Sequence, residues 1–161
     1  MRIYASQNAP FTIMYDSWKA HSRELVPMTP EEGRQNSEVI LGKVLSNRKP
    51  PYSLAGGLFD VLEKSGGDMF KVSNDEIVSW VVKYFSLEGY DLFPASACAV
   101  SSLKQALDAG IVKHDETVML NVTGGGMLGA TRKGFILKEP DLILSPDLPA
   151  EEIIAAVDKL F

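Results

Sequence analysis

Thr117-Val118-Met119-Leu120-Asn121-Val122-Thr123-Gly124-Gly125-Gly126 decides the reading of this chain. The apolar, β-branched run predicts a strand over 117–122, and the three glycines end it. In open α/β sheets, ligands bind beyond the carboxyl ends of the strands. Glycine suits such a place because it admits close approach and positive φ. The hydroxyl of Thr123 could donate to a neutral aromatic nitrogen without forcing its protonation. Taken alone, the run suits a surface loop equally well.

Outward from this run the chain alternates helices with short apolar strands. Pro94, with Ala95, Ala97, Val100, Leu103, Ala106 and Leu107 behind it, predicts a helix stopped by Gly110 and rich in small residues near its start. Ser73-Asn74-Asp75-Glu76 supplies a cap and an acidic first turn for a helix over 75–88, ended by Gly89. A helix over 58–64, closed by Ser65-Gly66-Gly67, leads into a strand over 69–72. A strand over 2–6 opens the chain with almost no lead-in, as an excised piece would. Residues 15–22 suggest a short helix, and Pro30-Glu31-Glu32-Gly33 a turn or a helix start. The apolar stretch 39–45 suits a buried strand or a helical turn. Asn47 to Tyr52 is loop because of Pro50 and Pro51, and Gly56-Gly57 allows a bend or a close approach. A strand over 141–144 and an amphipathic helix from Pro149 to the last residue complete the pattern. The fold class is therefore α/β, with a mostly parallel sheet flanked by helices.

Composition narrows the function. The chain has 161 residues with 45% hydrophobic and 23% charged side chains, as a folded domain does. A net charge of -5 argues against nucleic acid and anionic membranes as partners, since both need a basic patch. No apolar run approaches the roughly 20 residues of a membrane span, and the expected location is cytoplasmic. Cys98 is the single cysteine, and His21 and His114 have no carboxylate at ligand spacing, so no metal site is expected. Cys98 itself reads as an inert core thiol.

The order of Phe93-Pro94-Ala95-Ser96-Ala97, and about two dozen residues later Leu120-Asn121-Val122-Thr123-Gly124-Gly125-Gly126, resembles the C-terminal region of the fold-type-II pyridoxal-phosphate (PLP) enzymes, whose architecture is that of the tryptophan synthase β chain. Asn8-Ala9-Pro10-Phe11, Asp16-Ser17-Trp18-Lys19-Ala20, Leu45-Ser46-Asn47-Arg48-Lys49-Pro50-Pro51-Tyr52 and Gly56-Gly57-Leu58 look more particularly like the cysteate synthases, relatives of threonine synthase. The triple glycine favours them over threonine synthase, where Thr-Gly-Asn-Gly or Thr-Gly-His-Gly is common.

That resemblance implies PLP as cofactor and O-phosphoserine with sulfite as substrates, giving cysteate and phosphate for coenzyme M biosynthesis. It implies that Thr123 meets the pyridine nitrogen, with Gly124, Gly125, Asn121 and Ser96 around the cofactor. No Ser-x-Lys segment typical of the cofactor's lysine and no Gly-Asn-type phosphate loop is found here. The whole of 1–161 is thus expected to be a C-terminal segment of the large domain, inactive by itself, with the cofactor's lysine on a part not included. Arg48, in its proline-framed loop, and Arg23 are candidates for a small anionic amino-acid substrate, because guanidinium groups fork onto such anions. Beside these stand plainer readings: solvated surface arginines, Asn121 closing a turn, Ser96 capping a helix. Threonine synthase, a non-catalytic nucleotide- or anion-binding module, and pairing of an exposed strand edge with a second copy stay open.

Overall fold

The computed structural model describes residues 1–134 and 139–160, without the side chains of Gly129 and Ala130. It divides into two units, Met1–Gly129 and Ala130–Phe161. The first unit holds strand β1 (Tyr4–Asn8), helices α1 (Ile13–Lys19), α2 (Pro30–Val39) and α3 (Leu58–Ser65), strand β2 (Asp68–Val72), then α4 (Asn74–Glu88) and α5 (Pro94–Asp108). Helix α6 (Met127–Arg132) straddles the division, and the second unit contains α7 (Ala150–Val157) followed by a 3-10 turn.

β1 and β2 pair in parallel, with Tyr4 opposite Asp68 and Asn8 opposite Val72. A parallel pair needs a long crossover, which α1 to α3 supply. The chain is thus α/β with a two-stranded parallel sheet among its described residues.

Local chemistry explains the helix ends. Thr29 and Ser73 both make capping boxes, with Glu32 and Glu76 reaching back to the cap, so Pro30 starts a helix and not merely a turn. Gly66 and Gly89 close α3 and α4 in the left-handed conformation, at φ 63° and 73°. Gly57 lies against the carbonyls of Pro51, Leu54 and Tyr52, which leaves no room for a side chain.

Behind the sheet, Val72, Ile77, Leu92, Ala97, Cys98 and Val100 form one buried cluster between β2, α4 and α5. Tyr52, Leu62 and Met69 form another, against which Trp18 and Phe59 pack. Burial pushes the Cys98 thiol up to about 11, which keeps it protonated and unreactive near neutrality.

The structure departs from some expectations and decides between others. Residues 117–122 form no strand: a ladder requires a neighbour, and among the described residues 117–121 make no backbone hydrogen bond. Residues 141–144 are likewise not a strand. Of the two readings of 39–45, the helical turn holds: the stretch is the end of α2 and a 3-10 turn over Lys43–Leu45, and Val44 is 82% exposed. The helix expected over 15–22 instead occupies Ile13–Lys19. Phe161, where the last helix was expected to end, lies outside the described residues.

Candidate functional site

Helix α5 sets the site. Pro94 occupies its first position, where the missing N–H costs nothing and φ is already suitable. Phe93 precedes it in extended conformation, without a side-chain cap. The first turn therefore keeps backbone N–H groups with no intrahelical acceptor. Ser96, 2% exposed, sits in that turn.

The glycine run meets α5 at this point. Gly124 N–H donates to Ser96 Oγ at 3.0 Å, and Phe93 N–H donates to the Gly124 carbonyl at 3.2 Å. Gly126 N–H donates to the Asp91 carbonyl at 2.9 Å, completing a short antiparallel bridge between Leu92 and Gly125. The Asp91 carboxylate then accepts from Met127 N–H at 3.0 Å and Leu128 N–H at 3.2 Å, holding the start of α6. A Cβ on Gly124 would come within 2.7 Å of the Phe93 ring, and one on Gly125 would strike the Asp91 carbonyl. Gly124 and Gly125 are thus required by protein packing, where the sequence suggested approach of a ligand.

Between this bend and the end of α2 lies a cavity of about 320 Å³. Thr123 and Gly124 line one side, Phe93 to Ser96 the mouth of α5, and Leu41 to Val44 the opposite wall. Asn8, at the carboxyl end of β1, fixes that wall: its Oδ1 accepts from Gly42 N–H at 2.9 Å. Its Nδ2 donates to the Val72 carbonyl and to Asn74 Oδ1, at 3.0 and 3.1 Å. Asn74 in turn accepts from Leu41 N–H and donates to the Val39 carbonyl. The Asn8–Asn74 pair therefore ties both strand ends to the cavity. Sequence reading passed over it, although Asn8 in a β1 that ends at an X-Pro bond was a place to look for a side chain replacing ladder bonds.

Of the residues expected to surround a cofactor, Thr123, Gly124 and Ser96 converge on this cavity. Asn121 does not: it lines a separate cavity beside β1. Gly125 packs on Asp91. Neither arginine lines the cavity. Arg48 lies over Gly33 of α2. Arg23 is ion-paired with Asp60 and stands 4.9 Å over the Phe59 ring, so its charge is already matched. The Arg23 guanidinium, with the Gly56 N–H, lowers the Asp60 carboxyl to about 2.

A carboxyl so depressed stabilises the fold fully above its ordinary range, and that stabilisation fades as pH falls through about 2. The melting temperature of Arg23→Ala is accordingly expected to lie below that of the parent at neutral pH. The gap should close toward pH 2; a gap independent of pH would show that the pair is not responsible.

Apolar walls from Phe93, Pro94 and Val44, with the hydroxyls of Thr123 and Ser96, suit the edge of a flat heteroaromatic ring. Ser96 Oγ accepts from Gly124, which leaves its own proton to donate. Lys43 is the cationic residue of the lining, but its Nζ donates to the Ser37 and Glu38 carbonyls at 2.8 and 2.7 Å. The residues therefore fit the ring end of PLP and provide no cradle for its phosphate. Among the described residues, no group of three or more His, Cys, Asp and Glu could hold a metal, and no helix is long and apolar enough to cross a membrane.

No family model matches the chain. Individual proteins do. It is 37% identical over 155 residues to the cysteate synthase of Methanosarcina acetivorans, covering 94% of this chain and 37% of that protein. It is 37% identical over 159 residues to that of Methanocella paludicola, covering 97% and 37%. It is 42% identical over 125 residues to that of Methanoculleus marisnigri, covering 77% and 29%. The chain thus spans between 29% and 37% of the length of these curated relatives.

Proposed function

We propose that this chain, a segment of the cysteate synthase family, forms one side of a PLP site in an enzyme of the fold-type-II architecture that makes cysteate and phosphate from O-phosphoserine and sulfite, a step of coenzyme M biosynthesis. The observation that carries the reading is the hydrogen bond from Gly124 N–H to Ser96 Oγ, which brings Thr123 to the mouth of α5 beside the cavity. PLP, when bound, supplies an electron sink for breaking and making bonds at the substrate's β-carbon.

The chain's own residues orient and shield. Thr123 would hold the ring nitrogen through its hydroxyl, a donor that does not require that nitrogen to be protonated. Ser96 holds the bend against α5, and Phe93 with Val44 keeps water from the ring's edge. The wall from Leu41 to Val44 stays in place through Asn8. The lysine that carries the cofactor and the phosphate cradle belong to the part of the relatives this chain does not span.

A chimera tests this. The matched segment of the Methanosarcina acetivorans enzyme is replaced by this chain, and folding is verified by circular dichroism. The chimera is expected to form cysteate from O-phosphoserine and sulfite. Thr123→Val should lower the rate by about tenfold to a hundredfold while Thr123→Ser retains most of it, as loss of one positioned donor does. Turnover of O-phosphohomoserine alone would favour a threonine synthase instead.

A further inference from the structure

Among the described residues, Lys43 alone brings a formal charge to the lining of the cavity beside Thr123. We propose that its ammonium group binds a small oxyanion there, and that in the reaction proposed above this anion is sulfite. The assignment deepens that reading and rests on it.

An ammonium group has three N–H donors. Two of those on Lys43 reach the carbonyls of Ser37 and Glu38, at 2.8 and 2.7 Å, in the last turn of α2. One donor is left over. Both acceptors are neutral, and among the described residues Lys43 makes no ion pair, whereas Arg2, Lys19, Arg23 and Lys104 each meet a carboxylate. Its charge is therefore held in place without being neutralised. A free lysine gives up rotamer entropy when it takes a ligand, and the two carbonyls have already removed part of that cost.

The surroundings favour an anion. Leu41, Val44 and Phe93 make the walls near Lys43 apolar, which strengthens the attraction between an ammonium group and a negative ion. Across the cavity, Ala95 and Ser96 precede the first bond of α5, from Ala97 N–H to the Phe93 carbonyl, so their own N–H groups have no acceptor within the helix. This adds partial positive charge to a site that stands on Lys43. Of the two anionic substrates, O-phosphoserine offers an amino group and a carbon frame by which it can be held. Sulfite has neither, so a fixed cation is its chief handle, and holding it near the reacting carbon favours attack. A lysine at a helix C-terminus also complements the helix dipole. Capping alone predicts a change in melting and none in anion affinity.

The PLP-loaded chimera tests this with Lys43→Met, which keeps the stem and removes the charge, and Lys43→Arg, which keeps the charge. Lys43→Met is expected to raise KM for sulfite by about tenfold to a hundredfold, as loss of one charge-assisted hydrogen bond does, and to change KM for O-phosphoserine less than about twofold. Lys43→Arg should stay within about threefold of the parent, since a point charge is what the site requires. A rise in KM for O-phosphoserine instead would overturn the assignment. So would unchanged KM values with a lowered melting temperature, the mark of a cap alone. A second measurement needs neither turnover nor a variant. Acetylation of Lys43 by acetic anhydride, read by tandem mass spectrometry, should slow about threefold or more in sulfate compared with chloride of equal ionic strength, while the exposed Lys113 reacts alike in both. Equal rates at Lys43 in the two salts would also overturn the proposal. Protection by sulfate in a chimera without turnover would spare the anion site and sink the reaction; turnover with a sulfite KM indifferent to Lys43→Met would do the reverse.

Discussion

Gly67→Ala is expected to destabilise the protein by about 3 kcal/mol or more. Gly67 links α3 to β2, and a Cβ there would run into the carbonyl of Ile3, the residue just before β1. The obstacle is backbone, which cannot rotate away as the end of a side chain does. Relief requires shifting β1 against β2, the sheet itself. Overpacking of this kind costs about 3 kcal/mol or more. Its neighbour supplies the comparison. Gly66 has φ 63° and open space around its missing side chain, so Gly66→Ala should cost only about 1 kcal/mol, the left-handed penalty. Urea unfolding of the two variants measures the difference; equal losses would mean that β1 does not sit where it is described.

The second large effect is expected at Asn8. Asn8→Ala removes an acceptor from Gly42 N–H and donors from the Val72 carbonyl and Asn74, at a fully buried position. Buried groups stripped of partners cost about 1 to 3 kcal/mol each, and relaxation and water recover part of that, so a total loss of about 2 to 4 kcal/mol is expected. Asn8→Asp should not rescue it. The carboxylate still accepts from Gly42 but turns an oxygen toward the Val72 carbonyl and Asn74 Oδ1, where the amide had donated. Besides lower stability, both variants should shift the amide resonances of residues 41–44, because Asn8 holds that wall of the cavity. Unchanged resonances there would separate Asn8 from the site.

Much of this was legible because local chemistry dictated it. Ser73 with Glu76, Pro94 as a first helical residue, and Gly66 and Gly89 as stops are signals that act within a few residues. Gly57 answered the expectation of a close approach, against three carbonyls. The convergence of Thr123, Gly124 and Ser96 was legible only through family resemblance, since 28 positions separate the hydrogen-bonded pair. What failed depended on partners elsewhere. Residues 117–122 have the composition of a strand, but composition does not supply a neighbour. Arg23 was read as available to an anion, yet its guanidinium is matched by Asp60, 37 positions away. The polar hub at Asn8 escaped because a buried amide has no sequence periodicity.

The central claim is that the bend at Thr123, held to α5 by Ser96, is the ring side of a PLP site. Nitrogen-15 spectra of this chain titrated with PLP test it most directly. Weak binding, in the millimolar range, is expected without the rest of the site. It should move the amide signals of Val44, Ala95, Ser96, Thr123 and Gly124 together and saturably, and Thr123→Val should abolish the effect. Signals that stay still at this cavity, or that move instead around the separate cavity beside β1, would contradict the account.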